Sequence, residues 1–80
     1  MIIGVPKEIK NGETRVSMTP SLARRCVEVG AGVLVEKGAG ISAGFDDQEY
    51  RRAGASIALT AKKVWSSSDL ILKVKEPLKI

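Results

Sequence analysis

The stretch Leu70-Ile71-Leu72-Lys73-Val74-Lys75-Glu76-Pro77 constrains the fold more than any other. It opens as the kind of apolar run found in strands that a parallel sheet covers on both faces, and it stops at a proline. Side chains on a strand alternate, so Ile71, Lys73 and Lys75 share one face and Leu72 and Val74 the other. Such a strand begins in the core and delivers ammonium groups at its carboxyl end. In open parallel α/β sheets that is the end where ligands bind. A competing reading puts both lysines at the rim of the sheet with their heads in water. The alternation is compatible with either.

The rest of the chain supplies partners for that strand. Met1 to Val5 is a short apolar run with β-branched residues, read as a first strand ended by Pro6. Lys7 to Met18 is polar and carries the turn signal Asn11-Gly12. At about a dozen residues it is long for a strand-to-helix connection, and such loops tend to be functional or disordered. Thr19-Pro20 reads as an N-cap hydroxyl followed by proline at the first helical position. Leu22, Ala23, Cys26 and Val27 then form the expected buried stripe, and Gly30 the left-handed stop. Gly32 to Glu36 is the second strand. Asp46 and Glu49 have capping-box spacing at the head of a short helix that runs to Ala53 and stops at Gly54. Ser56 to Leu59 is a weak third strand. Thr60 caps a helix from Ala61 to about Ser66, with Val64 and Trp65 expected to face inward, and Ser66-Ser67-Ser68-Asp69 closes it.

Alternation of strands and helices predicts an α/β fold. Its parallel sheet has about four strands with flanking helices, a Rossmann-like or flavodoxin-like βαβαβαβ arrangement. The most economical strand order is third, second, first, fourth. The first and fourth strands then lie side by side where the connection reverses direction, and a crevice opens above such a switch point. The loop holding Arg15 leaves the first strand there, and Lys73 and Lys75 arrive there from the fourth.

Composition excludes several classes. Eighty residues make one small domain at most, and such a chain buries only about 60% of its unfolded surface. With 44% hydrophobic and 28% charged residues it is globular in type. Phe45, Tyr50 and Trp65 are its only aromatics, so the core is expected to be aliphatic. No apolar run approaches the roughly 20 residues of a membrane span, and no secretory signal opens the chain. The single Cys26 fits a reduced, cytoplasmic setting. A formal charge of +4 raises the question of nucleic acid. The basic pairs Arg24-Arg25, Arg51-Arg52 and Lys62-Lys63 lie on helices among acidic residues without an aromatic platform, so solvated helix faces account for them.

The chemistry on offer is anion binding. Arg15 can grip a carboxylate through two parallel hydrogen bonds, and a lysine beside it adds a compact charge or an acid/base. The chain has no histidine, so no hydrolase triad can be built, and no metal-ligand spacing occurs. Cys26 lies on the buried helix stripe, as a packing residue would. Gly38-Ala39-Gly40-Ile41-Ser42-Ala43-Gly44 invites a dinucleotide reading. Its Gly-x-Gly-x-x-x-Gly spacing is one residue too long, and no strand with an acidic ribose ligand follows. Turns and close backbone approach explain these glycines better.

Taken together, the motifs resemble a known family. Ile3-Gly4-Val5-Pro6-Lys7-Glu8-Ile9-Lys10-Asn11, Glu13-x-Arg15-Val16 and Thr19-Pro20 resemble the amino terminus of alanine dehydrogenases. The resemblance continues through Val35-Glu36-x-Gly38-Ala39-Gly40, Ala53-Gly54-Ala55 and Val64-Trp65 to Leu72-Lys73-Val74-Lys75-Glu76-Pro77-Leu78. The related amino-terminal domain of nicotinamide nucleotide transhydrogenases shares the general pattern but usually lacks the second lysine and the glutamate. Lys75-Glu76-Pro77 therefore favours the dehydrogenases.

The resemblance implies NAD-dependent oxidation of L-alanine to pyruvate. Arg15 would bind the substrate carboxylate, and Lys75 would hydrogen-bond the reacting end and assist proton transfer. It also implies that residues 1–80 are an incomplete domain, the amino-terminal part of a substrate domain, with the NAD-binding domain absent from this chain. NAD would serve the full-length enzyme, and the chain alone would bind none and be inactive. Two readings from other classes remain: a small non-catalytic module that binds carboxylates or a partner protein, and a remnant whose open strand edges make it self-associate. Neither a nucleic-acid nor a membrane partner is expected. A homo-oligomer or self-association is.

Overall fold

Four strands and three α-helices alternate along the chain: β1 (Ile2–Val5), α1 (Pro20–Glu28), β2 (Gly32–Glu36), α2 (Asp47–Arg52), β3 (Ser56–Ala58), α3 (Ala61–Ser67) and β4 (Leu70–Ile71). A single 3₁₀ turn spans Ile41–Ala43. The structure, a computed structural model, describes residues 1–9 and 12–74. Among these residues the strands form one parallel sheet in the order β3-β2-β1-β4. This is the order expected from the sequence, and it puts the switch point between β1 and β4.

Local signals set the helix boundaries. The Thr19 hydroxyl accepts the Leu22 N–H at 3.2 Å, and Pro20 occupies the first turn of α1, where its missing N–H is harmless. Past the end of α1, Gly30 turns the chain with φ +96°, a conformation that L side chains rarely adopt. Asp46 and Glu49 close a complete capping box on α2. The Thr60 hydroxyl accepts the Lys63 N–H at the head of α3.

Register assigns the two faces of the sheet. Ile3 pairs with Val33 and Val5 with Val35, so these four side chains share a face. They pack with Ala23 of α1, Tyr50 of α2, Met18, Ala53 and Ala55. Gly4 lies on the opposite face, where Val64 and Ser68 of the α3 region cover its Cα closely enough to leave no room for a side chain.

Four expectations are corrected here. Tyr50 is fully buried and is the largest such side chain, so the core is not purely aliphatic. Leu22 is 43% exposed, because the buried stripe of α1 centres on Ala23, with Cys26 and Val27 only partly covered. Trp65 is 48% exposed. Neighbouring helix positions diverge by about 100°, so a short helix that buries Val64 turns Trp65 outward. Finally, ladder pairing in β4 ends at Ile71, well before Pro77, and Leu70 is half-exposed because β4 pairs only with β1 among the described residues.

Candidate functional site

The chain leaving β4 is taken over by the loop leaving β1. The last sheet bond runs from the Leu72 N–H to the Gly4 carbonyl at 2.9 Å. From there the polar loop supplies partners for three successive residues. The Ser17 hydroxyl donates to the Leu72 carbonyl at 2.9 Å. Glu8 Oε1 lies 3.4 Å from Lys73 Nζ, and Glu8 Oε2 accepts the Val74 N–H at 3.0 Å. Backbone groups that no longer have a strand partner need another one, and the loop provides it. At the foot of the same loop, Glu36 at the end of β2 accepts the Lys7 N–H at 2.9 Å.

Lys73 therefore fits neither reading of the alternating strand. Its side chain is only 11% exposed, so it does not stand in water at a rim, and its ammonium is already paired with a carboxylate that is 5% exposed. The pairing explains why a lysine is tolerated this close to the core: a charge taken from water needs a counter-charge and hydrogen bonds.

Arg15 behaves differently. Its side chain is 68% exposed, and it is held from one side by Glu13, whose own side chain is almost fully buried. Arg15 Nε donates to Glu13 Oε2 at 3.0 Å and Nη2 to Oε1 at 3.1 Å, while the Arg15 backbone N–H also donates to Oε2. This bidentate grip occupies the Nε/Nη2 edge of the guanidinium and fixes its plane. The hydrogen bond and charge of Glu13 raise the Arg15 pKa above its ordinary value, and the charge of Glu8 adds to the effect. The field of Glu8 thus reaches both Arg15 and Lys73. Lys75, the other candidate, lies outside the described residues.

Glu8, Glu13 and Ser17 are the contributors that sequence reasoning passed over. One signal was present: lysines at the end of an apolar strand need counter-charges, and the first loop holds two glutamates.

Chemically, the site offers an exposed, plane-fixed guanidinium beside a near-neutral cluster of paired charges. That suits a small carboxylate docking on the Nη1/Nη2 edge of Arg15. Among the described residues no group of acidic, cysteine or histidine side chains is arranged to hold a metal ion. Cys26 packs partly buried against the core.

A dinucleotide does not fit the glycine-rich segment. The Gly38 N–H is engaged by Asp47 Oδ1 at 2.8 Å. A Cβ on Gly40 would sit 2.7 Å from the Tyr50 ring and 2.9 Å from the Phe45 carbonyl. These glycines serve turns and close packing rather than a pyrophosphate. A separate groove of about 250 Å³ runs between α1 and α2, with Arg24, Glu49 and Arg52 on its walls. It includes neither Glu8, Arg15 nor Lys73. No described helix is long and apolar enough to cross a membrane.

Comparison with known proteins gives a consistent picture. The family described as "Alanine dehydrogenase/PNT, N-terminal domain" matches residues 4–80. An alanine dehydrogenase of Methanococcus maripaludis is 53% identical over 79 residues, covering 99% of this chain and 21% of that protein. An alanine dehydrogenase of Bacillus subtilis is 51% identical over 78 residues, covering 98% and 20%. A solved L-alanine dehydrogenase superposes with a TM-score of 0.94 at 55% identity, over 98% of this chain and 21% of that one. A transhydrogenase from Sinorhizobium meliloti superposes with a TM-score of 0.84 at 36% identity, over 91% and 20%. The chain thus spans about a fifth of the length of these relatives. From the strand order and the match across nearly its whole length, the chain belongs to the alanine dehydrogenase/PNT N-terminal domain family.

Proposed function

We propose that this chain is the substrate-carboxylate-binding part of an NAD-dependent alanine dehydrogenase. The whole enzyme would convert L-alanine, NAD⁺ and water to pyruvate, ammonium, NADH and a proton, reversibly. The observation that carries this reading is the exposed Arg15 guanidinium, fixed in plane by Glu13 at the carboxyl ends of β1 and β4. Arg15 would hold the carboxylate common to alanine and pyruvate. Lys75 would meet the reacting end and assist proton transfer, a role that rests on the Leu72-Lys73-Val74-Lys75-Glu76-Pro77 motif.

The described residues do not fit NAD, so the hydride acceptor must be held elsewhere in the full protein, and the isolated chain is expected to make no NADH from L-alanine. A transhydrogenase origin is the second reading, supported by the Sinorhizobium meliloti structure. The higher identity to alanine dehydrogenases and the Lys75-Glu76-Pro77 sequence favour the first. A cytoplasmic setting and a homo-oligomer or self-association through the outer strands β3 and β4 belong to the same proposal.

The test is a pyruvate titration of the isotope-labelled chain followed by amide NMR. Saturable shifts around Arg15 and residues 72–74 that vanish in Arg15→Ala support the reading. A well-dispersed spectrum that does not respond to pyruvate overturns it for this chain.

A further inference from the structure

We infer that Glu8 is a positioning residue for the substrate site: its carboxylate sets the course of the chain beyond β4 and so the place where Lys75 begins. The inference rests on the carboxylate-binding reading of this site and deepens it.

Glu8 is the one described side chain that holds Lys73 and Val74 together. Its two oxygens divide the work, Oε1 facing the Lys73 ammonium at 3.4 Å and Oε2 accepting the Val74 N–H at 3.0 Å. Both side chains of the ion pair are nearly buried, at 5% and 11% exposure, so the contact is sheltered from the screening that weakens surface pairs. Ladder pairing has already ended at Ile71, and after Leu72 the printed backbone bonds to β1 stop. Beyond that point the direction of the chain is set by side chains of the β1 loop, Ser17 at Leu72 and Glu8 at the next two residues. Peptide geometry holds the following Cα about 3.8 Å from that of Val74. Fixing the Val74 N–H therefore restricts the origin of Lys75 without Glu8 touching the ligand. The charge of Glu8 also acts on Arg15, so one carboxylate biases both arms of the grip.

The test uses the isotope-labelled 80-residue chain, pyruvate as the probe, and the variants Glu8→Asp and Glu8→Gln. Glu8→Asp keeps the charge and withdraws the carboxylate by one methylene. Glu8→Gln keeps an acceptor for Val74 and removes the ion pair. A positioning role predicts that Glu8→Asp speeds exchange of the Val74 amide and raises the pyruvate midpoint at least fivefold, with the amides of β1 and β2 unmoved. Glu8→Gln, which keeps that acceptor in place, is expected to change the midpoint by less than threefold. If the parent chain responds to pyruvate and Glu8→Asp responds with the same midpoint, the inference is overturned and the carboxylate reading stands. If the parent chain itself does not respond, both are overturned.

Discussion

The Tyr50 hydroxyl donates a 2.8 Å hydrogen bond to the Met18 carbonyl across 32 residues of sequence, with both residues buried. It ties α2 to the foot of the loop that carries Glu8, Glu13, Arg15 and Ser17. Replacing Tyr50 with Phe keeps the ring in place and leaves the Met18 carbonyl without this donor. The expected loss is about 1–3 kcal/mol, the range for a buried acceptor left unsatisfied. Thermal or urea unfolding of Tyr50→Phe against the parent chain measures it.

Tyr50 also makes stability depend on alkaline pH. Burial first, then the negative charges of Glu49 and Asp47, push its pKa up to about 12 from an ordinary 10. The folded state therefore keeps the proton over a range where the unfolded chain has released it. The contribution is fully present below pH 10 and is lost as pH rises towards 12, on the order of 2 kcal/mol in all. Urea midpoints measured from pH 9 to 12 should fall with this slope in the parent chain, and Tyr50→Phe should flatten it.

Gly40 lies against the same ring. Its φ is −95°, which any residue can adopt, so what keeps a side chain out is space rather than backbone strain. An added Cβ would approach the Tyr50 ring and hydroxyl at 2.7 Å and the Phe45 carbonyl at 2.9 Å. Gly40→Ala is expected to destabilise the chain by about 1–3 kcal/mol through overpacking. A change smaller than ~0.5 kcal/mol in the urea midpoint analysis would mean that the 3₁₀ turn gives way freely.

Removing the ammonium of Lys73 would leave the Glu8 carboxylate almost fully buried without this counter-charge. Lys73→Met keeps most of the packing volume and is expected to cost about 3 kcal/mol, the low end for breaking a buried pair from one side. Differential scanning calorimetry would show it as a lowered melting temperature, with no comparable loss for the exposed Lys62→Met.

Arg15→Lys separates charge from geometry. Lysine keeps the positive charge but lacks the planar fork through which Glu13 holds the guanidinium. Because Arg15 is largely exposed, folding should be nearly unchanged, while the pyruvate-dependent amide shifts weaken at least tenfold. Equal responses from Arg15→Lys and the parent would show that charge alone attracts the ligand.

The features legible in the sequence were those written in local chemistry. Thr19-Pro20, Asp46 with Glu49, and Thr60 announce helix starts because each cap is satisfied within four residues of itself. Strand order followed from alternation and short connections. The site was legible only in outline: the two loops do converge above β1 and β4. Which cation would be paired was not legible, since Glu8 and Val74 are 66 residues apart and only the fold makes them neighbours. The same reason hid Tyr50, a lone aromatic whose burial depends on Gly40 making room and Met18 offering an acceptor. The strand at Leu70 looked longer in sequence than it is, because its apolar run does not reveal that Ser17 and Glu8 take over its backbone after Leu72.

Strand β1 is the first to be made and the last to be finished. Its neighbour on one side is residues 32–36, and on the other residues 70–71, with the Ile2 N–H waiting for Asp69. At ~5–20 residues per second of synthesis, roughly 2–7 s separate the emergence of the two partners. During that interval one edge of β1 stands open to any strand that comes by. The Ser17, Glu8 and Lys73 contacts cannot form until it closes. In a growing chain, the candidate substrate site is therefore the final piece of this sheet to assemble, and its appearance marks the moment the edge stops being a hazard.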